Sequence, residues 1–369
     1  MLMLGVPEIY RAFIYLNVLI VLTQGKYMWE DLGMRPIYLG ILAFPLALTL
    51  LHMIAVGEPE LIKEERHLWL AGFVCLSILL LQKKYIHLLR PYFEITILGM
   101  LLTYCITQAI AVLLFDRPYG TTKNPHYLAL YSALGIPAAL YLIITMQRRW
   151  RLILVPILLS LASFVLDSWS RPAWIALIST GLLVLLFLDN KKRLLSGLLI
   201  LIIPIMLFLS NLGGFGDRLT DLALNISKEE RVVIWQDAWK MQKSSHLTQW
   251  LVGHGLDSYE KDFRSFSTLH DLVDFNSPHN SFMDVLYTSG LLGLGLCLWL
   301  YYWVYSNLFQ RAKTNWDQRR ISILLMAIFT INSLFIMITI PFFAHYNILV
   351  LALIVGLMLY KEHDQKHEA

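Results

Sequence analysis

Charge is what this sequence has least of. Asp, Glu, Lys and Arg make up 15% of its 369 residues, whereas 57% are hydrophobic. An ordinary soluble domain carries about 25% charged residues, so the shortage excludes a soluble globular chain and points to lipid as the solvent. Cysteine is scarce too. Cys75, Cys105 and Cys297 each sit inside an apolar run, and no Cys-x-x-Cys pair occurs. This excludes a disulfide framework and a thiolate zinc site. No Asp-x-Asp cluster lies among the polar segments to hold a metal-bound sugar nucleotide, so no metal and no cofactor are expected. Strand-like alternation is missing, which excludes a transmembrane barrel. No internal repeat of the kind transporters carry is found. The N-terminus has neither a basic leader nor a small-residue cleavage site, and reads as mature sequence.

What is abundant is long apolar runs. A bilayer core of ~30 Å needs ~20 mostly apolar residues, and backbone groups in lipid must pair within their own segment, so each run reads as a helix. Windows of that kind fall near 9–24, 36–56, 67–82, 92–115, 126–146, 150–168, 172–188, 194–210, 284–307, 320–340 and 343–360. The expected fold is an all-α polytopic membrane protein of about 11–12 transmembrane helices. One long polar segment should carry short amphipathic helices. The expected division is an N-terminal bundle over 1–209, a large loop over 210–283, C-terminal helices over 284–360 and a tail over 361–369.

Basic residues divide the connections into two sets. Lys26, Arg35, Lys83, Lys84, Arg90, Arg148, Arg149, Arg151, Lys191, Lys192, Arg193, Arg311, Lys313, Arg319 and Arg320 fall on one side, against Lys63, Arg66, Arg117, Lys123 and Arg171 on the other. The positive-inside rule puts the first set in the cytoplasm. The 210–283 loop, Asn124 and Arg171 then lie outside, where ATP is absent in bacteria and a substrate must arrive already activated. The net charge of +4 gathers on the opposite face, and nucleic acid is not an expected partner.

The polar constellations gather on that outer face. In Asp167-Ser168-Trp169-Ser170-Arg171-Pro172, Ser170 can cap a helix that Pro172 opens. That sets Arg171 at the positive end of the helix dipole, where a phosphate is welcome. In the long loop, Trp235 and Trp239 share a helical face with Val232, an interfacial amphipathic pattern, with Arg231 at its start and Arg218 upstream. Gly253-His254-Gly255 reads as a turn. Asn124-Pro125-His126 opens a helix. In Ser277-Pro278-His279-Asn280-Ser281, Ser281 and Asp284 fit a capping-box-like helix start. His279 stands just before it, placed to take a proton from a hydroxyl. Gly290 and Gly293 then supply small residues for close helix packing. Singly, each has a plain structural reading: an arginine snorkelling to headgroups, one paired with Glu229 or Asp237, a turn histidine. Asp167, His126, His254 and His345 remain open candidates.

In this order along the chain, Ser170-Arg171, Arg231 with Trp235, Gly253-His254-Gly255, His279-Asn280 and Gly290-Leu291-Leu292-Gly293 resemble the O-antigen ligase and polymerase superfamily. The ligase pattern H-[NSQ]-x9-G-x-x-G fits His279 to Gly293, and Arg218 with Leu222 fits R-x3-L. The resemblance implies a glycosyltransferase of the bacterial inner membrane with its active face periplasmic. It would move O-antigen from undecaprenyl diphosphate to a sugar of lipid A–core without metal or ATP. Arg171 and Arg231 would hold the diphosphate as a clamp, with Arg218 as the alternative second member. His279 would serve as base, and Ser170, Asn280, Trp235 and His254 would contact substrate. Expected neighbours are membrane lipids and either a second copy of the chain or the polymerase and chain-length regulator. An O-antigen polymerase is the nearest alternative. Its R-x10-G pattern fails here, because Gly181 comes one residue early after Arg171 and Gln242 stands where Arg231 would need glycine. A protein O-oligosaccharyltransferase and, in another class, a lipid or glycan transporter are the others.

Overall fold

The computed structural model describes residues 15–24, 26, 35–56, 62–115, 119–122, 124–211, 216–217, 220, 230–256, 258–266, 277–313, 316–339, 342 and 344–359. Its elements are α1 (Tyr15–Gln24), α2 (Arg35–Val56), α3 (Ile62–Phe115), α4 (Pro125–Thr145), α5 (Arg151–Asp167), α6 (Arg171–Leu185) and α7 (Asn190–Ser210). Three short helices follow: α8 (Glu230–Ser244), α9 (Leu247–Val252) and α10 (Ser258–Phe266). The chain closes with α11 (Ser281–Arg311), α12 (Trp316–Ile336) and α13 (His345–Leu359). Among the described residues, 7 helical segments are long and apolar enough to cross a membrane. Tyr15–Gln24, His67–Gln82, Arg171–Leu185 and Asn347–Leu359 are shorter apolar helices. These segments coincide with the runs read from the sequence, and the protein is an all-α, multi-pass membrane protein.

Side-chain exposure explains why lipid is required. In α7, 0% of the apolar window is buried inside the protein, against 67% for the window in α12. Leu194, Leu195, Leu201, Met206 and Leu209 all point outward. A helix that is apolar and bare on its outside is stable only where the surroundings are apolar as well.

One boundary differs from expectation. The loop expected between the third and fourth spans, around Lys83 to Arg90, is helical, and α3 runs unbroken for 54 residues. No glycine falls between Gln82 and Pro91, and Pro91 is the lone proline of α3. Lys, Leu, Gln and Arg are good helix formers, so charge ends the apolar run without ending the helix.

Two opposite ends can be followed through the bundle. α4 and α5 are antiparallel neighbours, turning at Met146–Trp150 beside Arg148 and Arg149. At the end of α6, Arg193 Nε and Nη2 each donate over 3.0 Å to the carbonyls of Leu185 and Leu188. Arg319, near the start of α12, donates to the Phe187 carbonyl. A basic residue there answers the negative end of the helix dipole. The other end collects the start of α4, the α5–α6 turn, the start of α11 and the end of α12, joined by the bond from Ser281 Oγ to the Ile336 carbonyl (2.8 Å).

The sharpest feature is in α11, where Gly290 has φ 66 and ψ −169. The two glycines of Gly290-Leu291-Leu292-Gly293, expected to serve close helix packing, thus include a helix break. The turn Gly253-His254-Gly255 covers it. The His254 N–H donates to the Tyr287 carbonyl (2.8 Å) and the Gly255 N–H to the Thr288 carbonyl (2.9 Å). A Cβ on Gly290 would stand 2.4 Å from the Leu251 carbonyl group, and one on Gly253 would stand 2.3 Å from the Thr288 oxygen. Beside the break, the fully buried His52 of α2 places Nε2 at 2.6 Å from Ser289 Oγ.

Gly290→Ala is expected to lower the detergent-solubilised melting temperature well beyond Gly295→Ala, whose Cβ would meet nothing within 4 Å. The left-handed backbone alone costs a non-glycine residue roughly 1–2 kcal/mol. Equal melting temperatures for the two variants would contradict the backbone-on-backbone contact.

Candidate functional site

The site is built around the turn that precedes α11. Asn280 is the helix N-cap, and its side-chain oxygen accepts from the backbone N–H groups of Phe282 and Met283, both at 3.1 Å. The cap expected at Ser281 therefore sits one residue earlier. Both residue types suit a cap, but Ser281 spends its hydroxyl on the Ile336 carbonyl. Asp284 is likewise not a capping-box partner. It is buried, and its Oδ2 accepts from the Phe342 backbone N–H at 2.9 Å.

His279 adopts φ 50 in this turn. An L-residue in the left-handed region is strained, and such strain persists only where surrounding contacts fix it. Two contacts fix it here. His279 Nδ1 lies 2.8 Å from the Thr339 carbonyl oxygen. A carbonyl can only accept, so Nδ1 carries the proton of the neutral ring and Nε2 carries the lone pair. On the other side, the Trp235 indole Nε1–H donates to the Pro278 carbonyl at 3.0 Å. Trp235 thereby ties α8 to the residue before His279.

α8 packs through Ile234, Ala238 and Met241 against Tyr259 and Phe263 of α10 and Tyr287 of α11. Of the face of Val232, Trp235 and Trp239 read from the sequence, Trp235 packs against this cluster. Trp239 instead stays 42% exposed and meets Trp250 edge-on. Asp237 is buried and forms an ion pair with Lys240 at 2.9 Å. Arg231 opens α8 and is half-buried. Both Arg231 and His279 act electrostatically on His126 of α4. Arg231 and His279, from α8 and the turn before α11, are therefore grouped within electrostatic reach of His126 at the start of α4.

At the same end, Trp169 (φ 57) bends the chain between α5 and α6. Ser170 occupies the N-cap position of α6, but its side chain makes no capping bond. Its hydroxyl is 1% exposed and lacks a hydrogen-bond partner. Arg171 begins the helix and Pro172 follows as its buried second residue.

His254 is engaged by protein on several sides. Its ring stacks on Tyr287 with centroids 4.1 Å apart, and its Nε2 lies 2.8 Å from Ser245 Oγ. Its Nδ1 is 3.8 Å from Asp262, which accepts a 2.5 Å bond from the Tyr287 hydroxyl. Burial holds the His254 pKa below the ordinary imidazole value, against the opposing pull of the Asp262 charge. Arg218 and its R-x3-L partner Leu222 lie outside the described residues, and so does the side chain of His345. His126 was an open candidate in the sequence, whereas His52 was not singled out there, because it pairs with a serine 237 positions away.

Fold and site together define a polytopic membrane protein with a cationic, histidine-bearing site at one end of its helices. Residues 156–298 match the family model described as O-Antigen ligase. This match, over less than half of the chain, supports a likeness to the O-antigen ligase/polymerase superfamily and to glycosyl transfer in general. Arg171, Arg231, Gly253-His254-Gly255 and His279 through Gly293 all fall within the matched residues. No curated protein matches the chain.

Trp235→Phe keeps the ring but loses the bond to Pro278, and should lower turnover several-fold with the fold intact, as a hydrogen bond worth about 1 kcal/mol would allow. Unchanged turnover would show that this tie does not position His279. The lowered His254 pKa means that the folded state favours the neutral ring. Its effect is absent above the free value of 6.5 and becomes a cost as pH falls below it. The melting temperature should fall on acidification from about pH 7.5 to about pH 5.5, and less so in His254→Gln. An identical fall in both proteins would remove His254 as the cause.

Proposed function

We infer that the chain is an O-antigen ligase. In this reading, it transfers O-antigen polysaccharide from undecaprenyl diphosphate to a sugar of lipid A–core at the periplasmic face of the bacterial inner membrane. The observation that carries the reading is the His279 turn. The ring is held by Thr339 in the tautomer that presents a lone pair on Nε2, and it lies in a cluster with Arg231. A lone pair fixed beside permanent positive charge suits a reaction in which a hydroxyl is deprotonated while a diphosphate departs.

The acceptor hydroxyl gives its proton to His279 Nε2 as its oxygen attacks the anomeric carbon. The bond from that carbon to the diphosphate oxygen breaks, and the electron pair leaves with the diphosphate. Arg231 and Arg171 stabilise the charge that develops there, through bidentate guanidinium contacts that a lysine ammonium cannot reproduce. The activated donor supplies the driving force, and this reading requires neither ATP nor a metal. The positive-inside rule supports the orientation, since the basic turns at Arg148–Arg151, Lys191–Arg193 and Arg311–Arg320 lie at the end away from His279. An apolar cavity of about 330 Å³ lined by Phe44, Cys75, Trp299, Trp303, Phe342 and Val355 offers part of the polyprenyl chain a place. Its Phe342 is bonded to Asp284, one turn into α11 beyond His279.

The deciding experiment reconstitutes the purified protein with undecaprenyl-diphosphate-linked glycan, with lipid A–core in one tube and no second acceptor in the other. Glycan on lipid A–core in the first tube alone is expected. Longer lipid-linked chains in both tubes would instead make the protein a polymerase. In the same assay, Arg171→Ala and Arg231→Ala should abolish transfer with membrane insertion unchanged, and the corresponding lysine variants should remain severely impaired. His279→Ala should cut turnover while donor binding persists. Full activity in both arginine variants would overturn the clamp.

A further inference from the structure

The cluster at the outer end of α4 contains a histidine to which the mechanism above gives no task. His126 follows Pro125 in the first turn of α4, and its backbone N–H is bonded to the Asn124 side-chain oxygen at 2.8 Å. Its ring interacts electrostatically with Arg231 and His279, neither of which is acidic. Its Nδ1 is sealed from solvent and has no hydrogen-bond partner.

That sealed nitrogen decides what the ring can offer. A buried N–H with no acceptor is rarer and costlier than an under-used lone pair. The neutral ring therefore leaves Nδ1 bare and carries its proton on Nε2, the nitrogen that remains to meet a ligand. His279 is arranged the other way, with its proton on Nδ1 and its lone pair on Nε2. The two histidines in one cluster thus have opposite aptitudes, one to donate and one to accept. Beside the fixed positive charge of Arg231, an N–H donor suits an anionic oxygen.

We propose that His126 is a further ligand of the donor's diphosphate, giving its Nε2–H to a phosphate oxygen beside Arg231. This rests on the ligase reading for the identity of the ligand, and it divides the labour between the two histidines. His126 holds the leaving group, and His279 receives the proton of the attacking hydroxyl. The start of α4 contributes as well, because the positive end of its helix dipole lies at the same spot.

The test measures binding of undecaprenyl diphosphate to the purified full chain in nanodiscs, with inorganic pyrophosphate in a parallel arm. Wild type is compared with His126→Phe, His126→Gln and Arg231→Ala. Phe fills the ring's space without a nitrogen, whereas Gln keeps an N–H near the position of Nε2. His126→Phe should bind both probes about ten- to a hundredfold more weakly, the loss expected for a hydrogen bond to a charged group. His126→Gln should recover most of that affinity, a rescue that a purely packing role would not give. Wild-type affinity in His126→Phe, or equal losses in Phe and Gln, would overturn the proposal and leave the ligase reading standing. A weakening seen with the lipid but not with pyrophosphate would also overturn it, by moving the contact off the diphosphate. No binding by wild type, or no loss in Arg231→Ala, would sink the diphosphate site itself.

Discussion

The site depends on a repair to a broken membrane helix. Gly290 takes α11 out of helical geometry at φ 66, and a carbonyl freed inside an apolar bundle costs several kcal/mol if nothing bonds to it. The N–H groups of His254 and Gly255 close the gap by bonding to Tyr287 and Thr288. This pins the segment after α9 to the membrane bundle at a contact too close for a Cβ on either strand of chain. The rest follows in series. The pinned segment brings α8 and α10 onto Tyr287, α8 brings Trp235 to Pro278, and the turn so held carries His279. A helix break that would be a defect alone becomes the socket for the polar segment.

The second constraint is the way in which each reactive group is spoken for. Asn280 uses its oxygen on two backbone donors, Ser281 reaches α12, and Asp284 holds Phe342. His279 spends one nitrogen on Thr339. Polar groups that close the start of α11 onto the end of α12 leave the imidazole as the chemically versatile group in the turn. The strained backbone of His279 is consistent with that, because contacts from two sides fix its conformation.

How much of this could be read from the sequence varied with the distance over which each interaction acts. Apolar runs located the spanning helices because burial in lipid is set by composition over ~20 residues. Arg171, Arg231 and His279 stood out because their types and spacing follow a family pattern. The cap shifted from Ser281 to Asn280 because neighbouring residues with equal capping ability are separated only by tertiary bonds, here the one to Ile336. The α3 helix continued past Lys83 because charge limits burial without limiting helix propensity. The face of α8 turned from Trp239 toward Ile234 once α10 was available to pack against it. The neighbours of His126, already a candidate in the sequence, and the His52–Ser289 pair needed the fold itself, since they come from distant helices.

The central claim is that His279 is held with its lone pair on Nε2. The direct measurement is nitrogen-15 magnetic resonance of labelled histidine in nanodisc-embedded protein at neutral pH, with the His279 signals assigned by their loss in His279→Gln. A protonated, pyrrole-like Nδ1 and a bare, pyridine-like Nε2 are expected. A proton on Nε2 with a bare Nδ1 would contradict the bond to Thr339 and leave His279 unable to act as the base described.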